Sequence, residues 1–240
     1  MTWDWQVFLN DDGGGRTYLQ WMMDAWGWTL GVAGCSWVVA ILLGGIMGTF
    51  KTLPNSPWLV RLATVWVEVF RNVPLLVQIF IWYFVIPKIF PAMKDLPGFV
   101  LVVFALGFFT SARIAEQVRA GVQALPRGQR YAGMAMGFTT AQTYRYVILP
   151  MAVRIIIPPL TSESMNLLKN SSVAFAVSIA ELTMFAMQAQ EETSRGIEIY
   201  LAVTGLYAVS AFAVNRIFAL IEKRVQIPGY IVAGTAGGGH

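Results

Sequence analysis

The sequence predicts an all-α, polytopic membrane protein with about five transmembrane helices, and three observations carry that prediction. Of its 240 residues, 56% are hydrophobic and only 12% are charged, about half the charge density of a soluble domain. Several apolar runs approach or exceed the ~20 residues that cross a bilayer. Basic residues also collect in the connections of one side and acidic residues in those of the other. Together these exclude a soluble domain with a large core. Cys35 is the single cysteine and lies in an apolar run, so one chain offers neither a disulfide framework nor a zinc cluster. The single histidine, His240, follows three glycines and is set aside from chemistry. The first twenty residues are acidic, without a basic region followed by an apolar core, so no cleavable secretory signal is expected.

Met1 to Asp24 carries Asp4, Asp11, Asp12 and Asp24 against Arg16, with Trp3, Trp5 and Trp21 between them. An acidic, tryptophan-rich segment beside a span reads as an interfacial belt on the non-cytoplasmic side. The first span runs from about Ala25 to Phe50, and its many glycines suit close helix approach. A short basic connection with Lys51 and Arg61 follows. The second span, about Leu59 to Ile86, is interrupted by Glu68-Val-Phe-Arg71-Asn72-Val-Pro74, where the proline kinks or splits the helix. After a proline-rich loop, the third span starts near Gly98 and ends near Leu125.

Between Pro126 and Pro150 lies a polar stretch too rich in helix formers to be a mere linker. Ala132, Met134, Ala135 and Met136 predict a short helix stopped at Gly137. Thr139 opens a second short helix, which is expected to end on the Pro150 side. Two short helices meeting at a glycine on the basic side make a compact knob suited to docking on a soluble partner. The fourth span is placed after Pro158-Pro159 and ends near Ile179; the fifth covers about Tyr200 to Leu220. A basic turn follows, and about 229–240 reads as a flexible tail. With five spans, the basic connections share one side, so the positive-inside rule puts the knob and C-terminus in the cytoplasm and the N-terminus outside.

Charged residues inside spans face a bundle interior or a cavity. For Glu68 and Arg71 the expected arrangement is an i,i+3 ion pair that fixes the broken helix, since a paired buried charge costs less than a free one. The alternative is that they line a translocation path. Arg113 can hold a carboxylate bidentately or pair with Glu116 one turn on. Glu163, Asn166, Lys169, Asn170 and Ser171 are spaced three and four apart, with 163, 166 and 170 on one helical face. Their carboxylate, amides, cation and hydroxyl match the two charges of an amino-acid backbone; a polar seam between helices is the alternative.

The knob resembles the cytoplasmic signature of the permease subunits of binding-protein-dependent ABC importers: Glu-Ala-Ala, three residues, Gly, nine residues, then Ile-x-Leu-Pro. Ala132, Gly133, Gly137, Val147, Leu149 and Pro150 fall in that spacing, and Tyr131 stands where the family usually carries glutamate. Glu68 to Gln78 and Ala115 to Gln129 are similar to signatures of the polar-amino-acid branch, so the likeness covers most of residues 66 to 172. Arg113 resembles the glutamate/aspartate permeases, where many relatives carry tyrosine.

The resemblance implies a single permease domain over 1–240, of the type I ABC importer permease fold, in a bacterial inner membrane. It implies coupling to an ATPase through Tyr131, Ala132, Gly133, Gly137, Leu149 and Pro150, and a substrate path lined by Arg71, Arg113, Glu116, Glu163, Asn166, Lys169, Asn170 and Ser171. The implied partners are a second, related permease subunit, two cytoplasmic ATPase subunits, an external binding protein, an acidic amino acid and membrane lipid, with no nucleic acid. The chain has no G-x-x-x-x-G-K-[ST] loop, so ATP and Mg are expected on the ATPase and no cofactor on this chain. A membrane-embedded enzyme built on Ser171, Lys169 and Glu163 is the runner-up. It is disfavoured because the sequence holds no internal histidine, metal cluster or G-x-S-x-G stretch. An ion-coupled secondary carrier would carry more spans and internal repeats, and would leave the knob without a role.

Overall fold

The computed structural model describes residues 3–225. The expected tail at 229–240 and His240 lie outside the described residues. The first long helix, α1 (Tyr18–Phe50), begins seven residues earlier than the apolar run suggested. The reason is local: Thr17 and Gln20 form a capping box that satisfies the first-turn N–H groups. Ahead of it, Trp5–Leu9 form a 3₁₀ turn capped by Asp4. That turn buries Val7 and Phe8.

After α1 come α2 (Pro57–Asn72) and α3 (Leu75–Phe80). A π-helical stretch, Ile81–Val85, then leads into α4 (Ile86–Ile89). The expected kink at Pro74 is a sharp break: Pro57–Asn72 and Leu75–Ile89 meet at 105°. Pro74 withholds an N–H and forces Val73 into an extended conformation. The buried Gln78 side chain holds the corner by donating to the Phe70 carbonyl (2.8 Å) and the Val73 carbonyl (2.9 Å).

α5 (Gly98–Gln123) lies beside α1. Gly107 meets Val39, Gly44 meets Ser111 and Ile114, and Gly48 meets Ala115 and Val118. Rising numbers on both helices make the pair parallel. A Cβ on Gly48 would sit 2.6 Å from the Ala115 carbonyl oxygen, so glycine is what lets the backbones touch. The parallel pair also requires the bent α2–α4 unit to make one net crossing between α1 and α5.

α6 (Arg127–Ala135) and α7 (Thr140–Thr143) form the knob. The expected stop at Pro150 does not occur. The chain passes from α7 through a π-helical stretch, Tyr144–Ile148, into α8 (Leu149–Asn170), with Pro150 in the first turn. The π-helical stretch, in which Leu149 N–H donates to the Tyr144 carbonyl five residues back, carries the chain into the proline without a stop. α8 also runs straight through Pro158 and Pro159, so the fourth span does not start after them. Neighbouring helices can shelter the backbone groups that a proline frees inside a membrane helix. With the 3₁₀ turn Ser171–Val177 the helical stretch reaches from Thr140 to Val177.

The short α9 (Leu182–Thr193) precedes α10 (Gly196–Val225). α10 runs parallel to α1, since Trp26 donates to the Ser210 hydroxyl at 2.8 Å and the Trp37 and Phe218 rings lie 5.9 Å apart. α8 runs antiparallel to α5, with Ile156 against Gly121 and Glu163 beside Arg113. Among the described residues, four helices are long and apolar enough to cross a membrane, and the bent pair taken as one span makes a fifth. Tyr18 and Val225 therefore lie at opposite ends of the bundle.

The core packs Val32, Ile79, Leu106, Ile114 and Leu167 between α1, α3, α5 and α8. A second cluster joins Phe8, Leu182, Phe185 and Ile199, fastening the N-terminal turn to α9 and α10. Asp4 adds an ion pair with Arg195 at 3.3 Å and a backbone hydrogen bond to Glu198 at 3.0 Å. The acidic N-terminal segment is thus folded against α9 and α10.

Candidate functional site

Charges in the middle of the bundle meet at the junction of α2, α5 and α8. Arg71, near the end of α2, lines a cavity of about 440 Å³ with Phe109, Arg113 and Glu116 of α5. The break after Asn72 exposes the Arg71 side chain there; among the described residues it forms no ion pair with Glu68. Glu68 accepts from the Asn72 amide at 2.7 Å instead. The expected i,i+3 pair is therefore replaced by an i,i+4 hydrogen bond, which leaves Arg71 open to the cavity.

Arg113 does not pair with Glu116 either. Its guanidinium stands 3.7 Å from the Glu163 carboxylate on α8 and 5.8 Å from the centre of the Phe109 ring. The Arg113 side chain keeps 43% of its surface exposed while that of Glu163 keeps 11%. A long, half-exposed contact of this kind can be exchanged for a substrate carboxylate. A fully buried bidentate pair would resist that exchange.

Glu116 is held from two other directions. Arg119 donates to it at 2.8 Å from one turn on, and Lys51 at the end of α1 donates to it across the helix pair. The parallel docking of α1 on α5 creates this triad. Lys51 is 65 positions away in sequence, so no local spacing could reveal it. Its signal is a cation at the C-cap of a glycine-rich helix.

The remaining path candidates follow Glu163 along α8. Asn166 and Asn170 are half-buried and Lys169 is exposed. Ser171 is buried, and its hydroxyl donates to the Leu168 carbonyl at 2.7 Å. The structure thus gathers Arg71, Arg113, Glu116 and Glu163 at one junction and leaves Asn166, Lys169, Asn170 and Ser171 one to two turns further on. The site offers the Arg71 guanidinium, a second one at Arg113 in a long contact with Glu163, an aromatic ring, and a Glu116 carboxylate held by Lys51 and Arg119. That can hold an anion or a zwitterion. It contains no activated nucleophile, and among the described residues no three His, Cys, Asp or Glu side chains are placed to hold a metal.

The knob presents a different chemistry. α6 ends in a Schellman turn: Phe138 N–H donates to the Gly133 carbonyl and Gly137 N–H to that of Met134. Gly137 has φ +79°, the left-handed conformation that glycine adopts at no steric cost. Thr139 and Gln142 then form a capping box that starts α7. Gly133 is buried against Thr143, where a Cβ would come within 3.0 Å of the methyl group, so the two short helices close on each other. Tyr131 is 64% exposed, and Ala132, Met134 and Met136 are exposed beside it. Leu149 is half-buried and Pro150 exposed at the start of α8. A rigid knob with exposed tyrosine and methionines is suited to a protein partner.

Beyond the bundle, Glu181 was not singled out by the sequence. It is fully buried at the N-cap of α9, where it accepts from the Thr183 and Met184 N–H groups at 2.9 Å and from the Tyr207 hydroxyl at 3.0 Å. Burial pushes its carboxyl above the usual range, and these hydrogen bonds pull the other way.

Residues 40–227 match the family described as binding-protein-dependent transport system inner membrane component. The chain is 40% identical over 238 residues to the glutamate/aspartate import permease protein GltJ of Escherichia coli, covering 95% of this chain and 96% of that one. It is 33% identical over 206 residues to the glutamine transport system permease protein GlnP of the same organism, covering 85% and 90%. The fold matches a crystal structure of an amino acid ABC transporter with histidines at a TM-score of 0.77 and 30% identity, over 93% of this chain and 100% of that one.

Proposed function

Because the chain belongs to the family of binding-protein-dependent transport system inner membrane components, we propose that it imports acidic amino acids, glutamate or aspartate, through the cavity at Arg71 and Arg113. It is an amino-acid ABC importer permease, a transport subunit that works with a separate ATPase and a substrate-binding protein. One observation carries the acidic preference: Arg71 and Arg113 face one cavity whose lining carboxylate, Glu116, is held by Lys51 and Arg119, and Arg113 has only a long contact with Glu163. The 40% identity to GltJ supports the same choice, whereas the 33% identity to GlnP favours a neutral amide substrate as the second reading.

The whole chain, 1–240, acts as one permease domain in a bacterial inner membrane, with its coupling loop at about 126–150. The N-terminal cap faces outward and the knob inward, because the basic residues Lys51, Arg127, Arg130 and Arg145 gather at the knob end. The knob docks on one of two ATPase subunits, which bind ATP and Mg. A related second permease completes the path, and an external binding protein delivers the substrate. Closure of the ATPases moves the knob, and α8, which continues from it, carries that motion to Glu163. Its loose contact with Arg113 opens, and Arg113 takes the substrate carboxylate.

Arg113→Tyr tests this reading. Loss of the guanidinium costs about 2–5 kcal/mol only where bound substrate shuts water out of its contact with the carboxylate, and uptake of labelled glutamate and aspartate at low concentration should fall at least tenfold. Assembly and basal ATP hydrolysis should be unchanged. Normal acidic uptake by the assembled Arg113→Tyr complex would remove the acidic assignment. Preferential uptake of glutamine by the unaltered complex would favour the second reading.

A further inference from the structure

A second cavity, also about 440 Å³, lies where α1 and α5 end and α6 begins. Its polar lining is Lys51, Thr52, Gln123, Arg127, Arg130 and Tyr144, with no carboxylate among the lining residues. The lining residue Lys51 pairs with Glu116, which Arg119 also engages. Among the described residues, Arg127 and Arg130 form no ion pair. Four cations thus stand around one anion, a surplus of three positive charges.

The same residues supply directed donors. Arg127 and Arg130 are one turn apart and share a face of α6. The Gln123 carbonyl accepts from Arg119 at 2.6 Å, which leaves its amide N–H groups to donate. The Thr52 backbone carbonyl, which would repel an anion, is covered by the Tyr144 hydroxyl. Gly128 has no other group within 4 Å of where a Cβ would stand, so approach from outside is open. The floor is apolar, closed by Leu125 and Ile148. Such a cavity at the end of two membrane helices faces the depth where glycerol and headgroup meet.

We infer that this cavity binds the phosphate group of an anionic phospholipid, with Arg127 and Arg130 on the phosphate and the glycerol end against Leu125 and Ile148. The headgroup ties the start of α6 to the membrane surface and so sets the height of the knob. The binding itself does not depend on the transport reading.

The test uses the full-length chain in detergent, followed by native mass spectrometry with phosphatidylglycerol, phosphatidylcholine or inorganic phosphate added. Wild-type protein should retain phosphatidylglycerol in preference to phosphatidylcholine. Arg127→Gln with Arg130→Gln should lower that affinity by roughly twenty-five-fold, given about a fivefold contribution from each basic residue near a lipid surface. Arg127→Lys with Arg130→Lys should keep most of it, and Lys223→Gln, outside the cavity, should change nothing. Thermal melting of each variant shows that it is folded. If inorganic phosphate displaces the lipid, the ligand phosphate comes from solution, and the anion site stands without the headgroup. Equal retention of both lipids by wild type, or equal phosphatidylglycerol retention by folded wild type and the double glutamine variant, overturns the site.

Discussion

Single side chains decide whether this bundle is held open or shut. Gln78 bridges the corner after Asn72, and its amide serves two carbonyls that the proline leaves bare. Gln78→Leu would leave both carbonyls without that donor, at about 1–3 kcal/mol each if buried. The purified protein should therefore melt several degrees lower, and an unchanged melting temperature would show that the corner holds without Gln78. At the outer rim, Arg16 donates to Asp12 and holds that carboxyl below the usual aspartate range. A carboxyl depressed in the folded state contributes stability above its ordinary pKa and loses it as pH falls through the lowered value. Proteolysis of the Gly13–Arg16 loop should accordingly accelerate only below the ordinary aspartate range. In Asp12→Asn that acceleration should disappear. Arg113 was legible as a polar exception inside a span, but its partner was not. Sequence spacing pointed to Glu116, one turn on; the contact is to Glu163 on another helix. Long-range partners are fixed by helix docking, which no local period encodes.

At the scale of elements, the knob was the most readable part of the chain, because its geometry comes from short-range chemistry. Gly137 as a left-handed stop and Thr139 as a cap each act within four residues, and both sit where the local rules place them. Gly137→Ile would force a β-branched residue to φ +79°, costing about 1–2 kcal/mol and turning the exit of α6. In the assembled transporter this should uncouple ATP hydrolysis from uptake while the spans stay inserted. Wild-type coupling in that variant would refute the docking role of the knob. The prolines misled for a related reason: Pro150, Pro158 and Pro159 are strong breakers in water. Here a π-helical stretch leads into Pro150, and α8 continues through Pro158 and Pro159.

For the whole molecule, the parallel contacts of α1 with α5 and α10 place the two ends of the bundle on opposite sides. In a Cys35→Ala background, an impermeant thiol reagent should label a cysteine placed at Gly14 in intact cells but not one at Gly128. The reverse pattern would turn the molecule over and separate the knob from any cytoplasmic ATPase. The number of spans was evident from composition, since each is an apolar run of bilayer length. The helix that partners α1 was not, because adjacent runs give no hint that α1 bypasses α2 for α5. That bypass has a consequence for how the protein is made. The backbone contact at Gly48 cannot form until Gly98–Gln123 has left the ribosome, about 70 residues after Phe50. At roughly 5–20 residues per second, the first helix waits about 4–15 s in the bilayer with its glycine face bare. During that interval a membrane chaperone or a quality-control protease finds its opportunity.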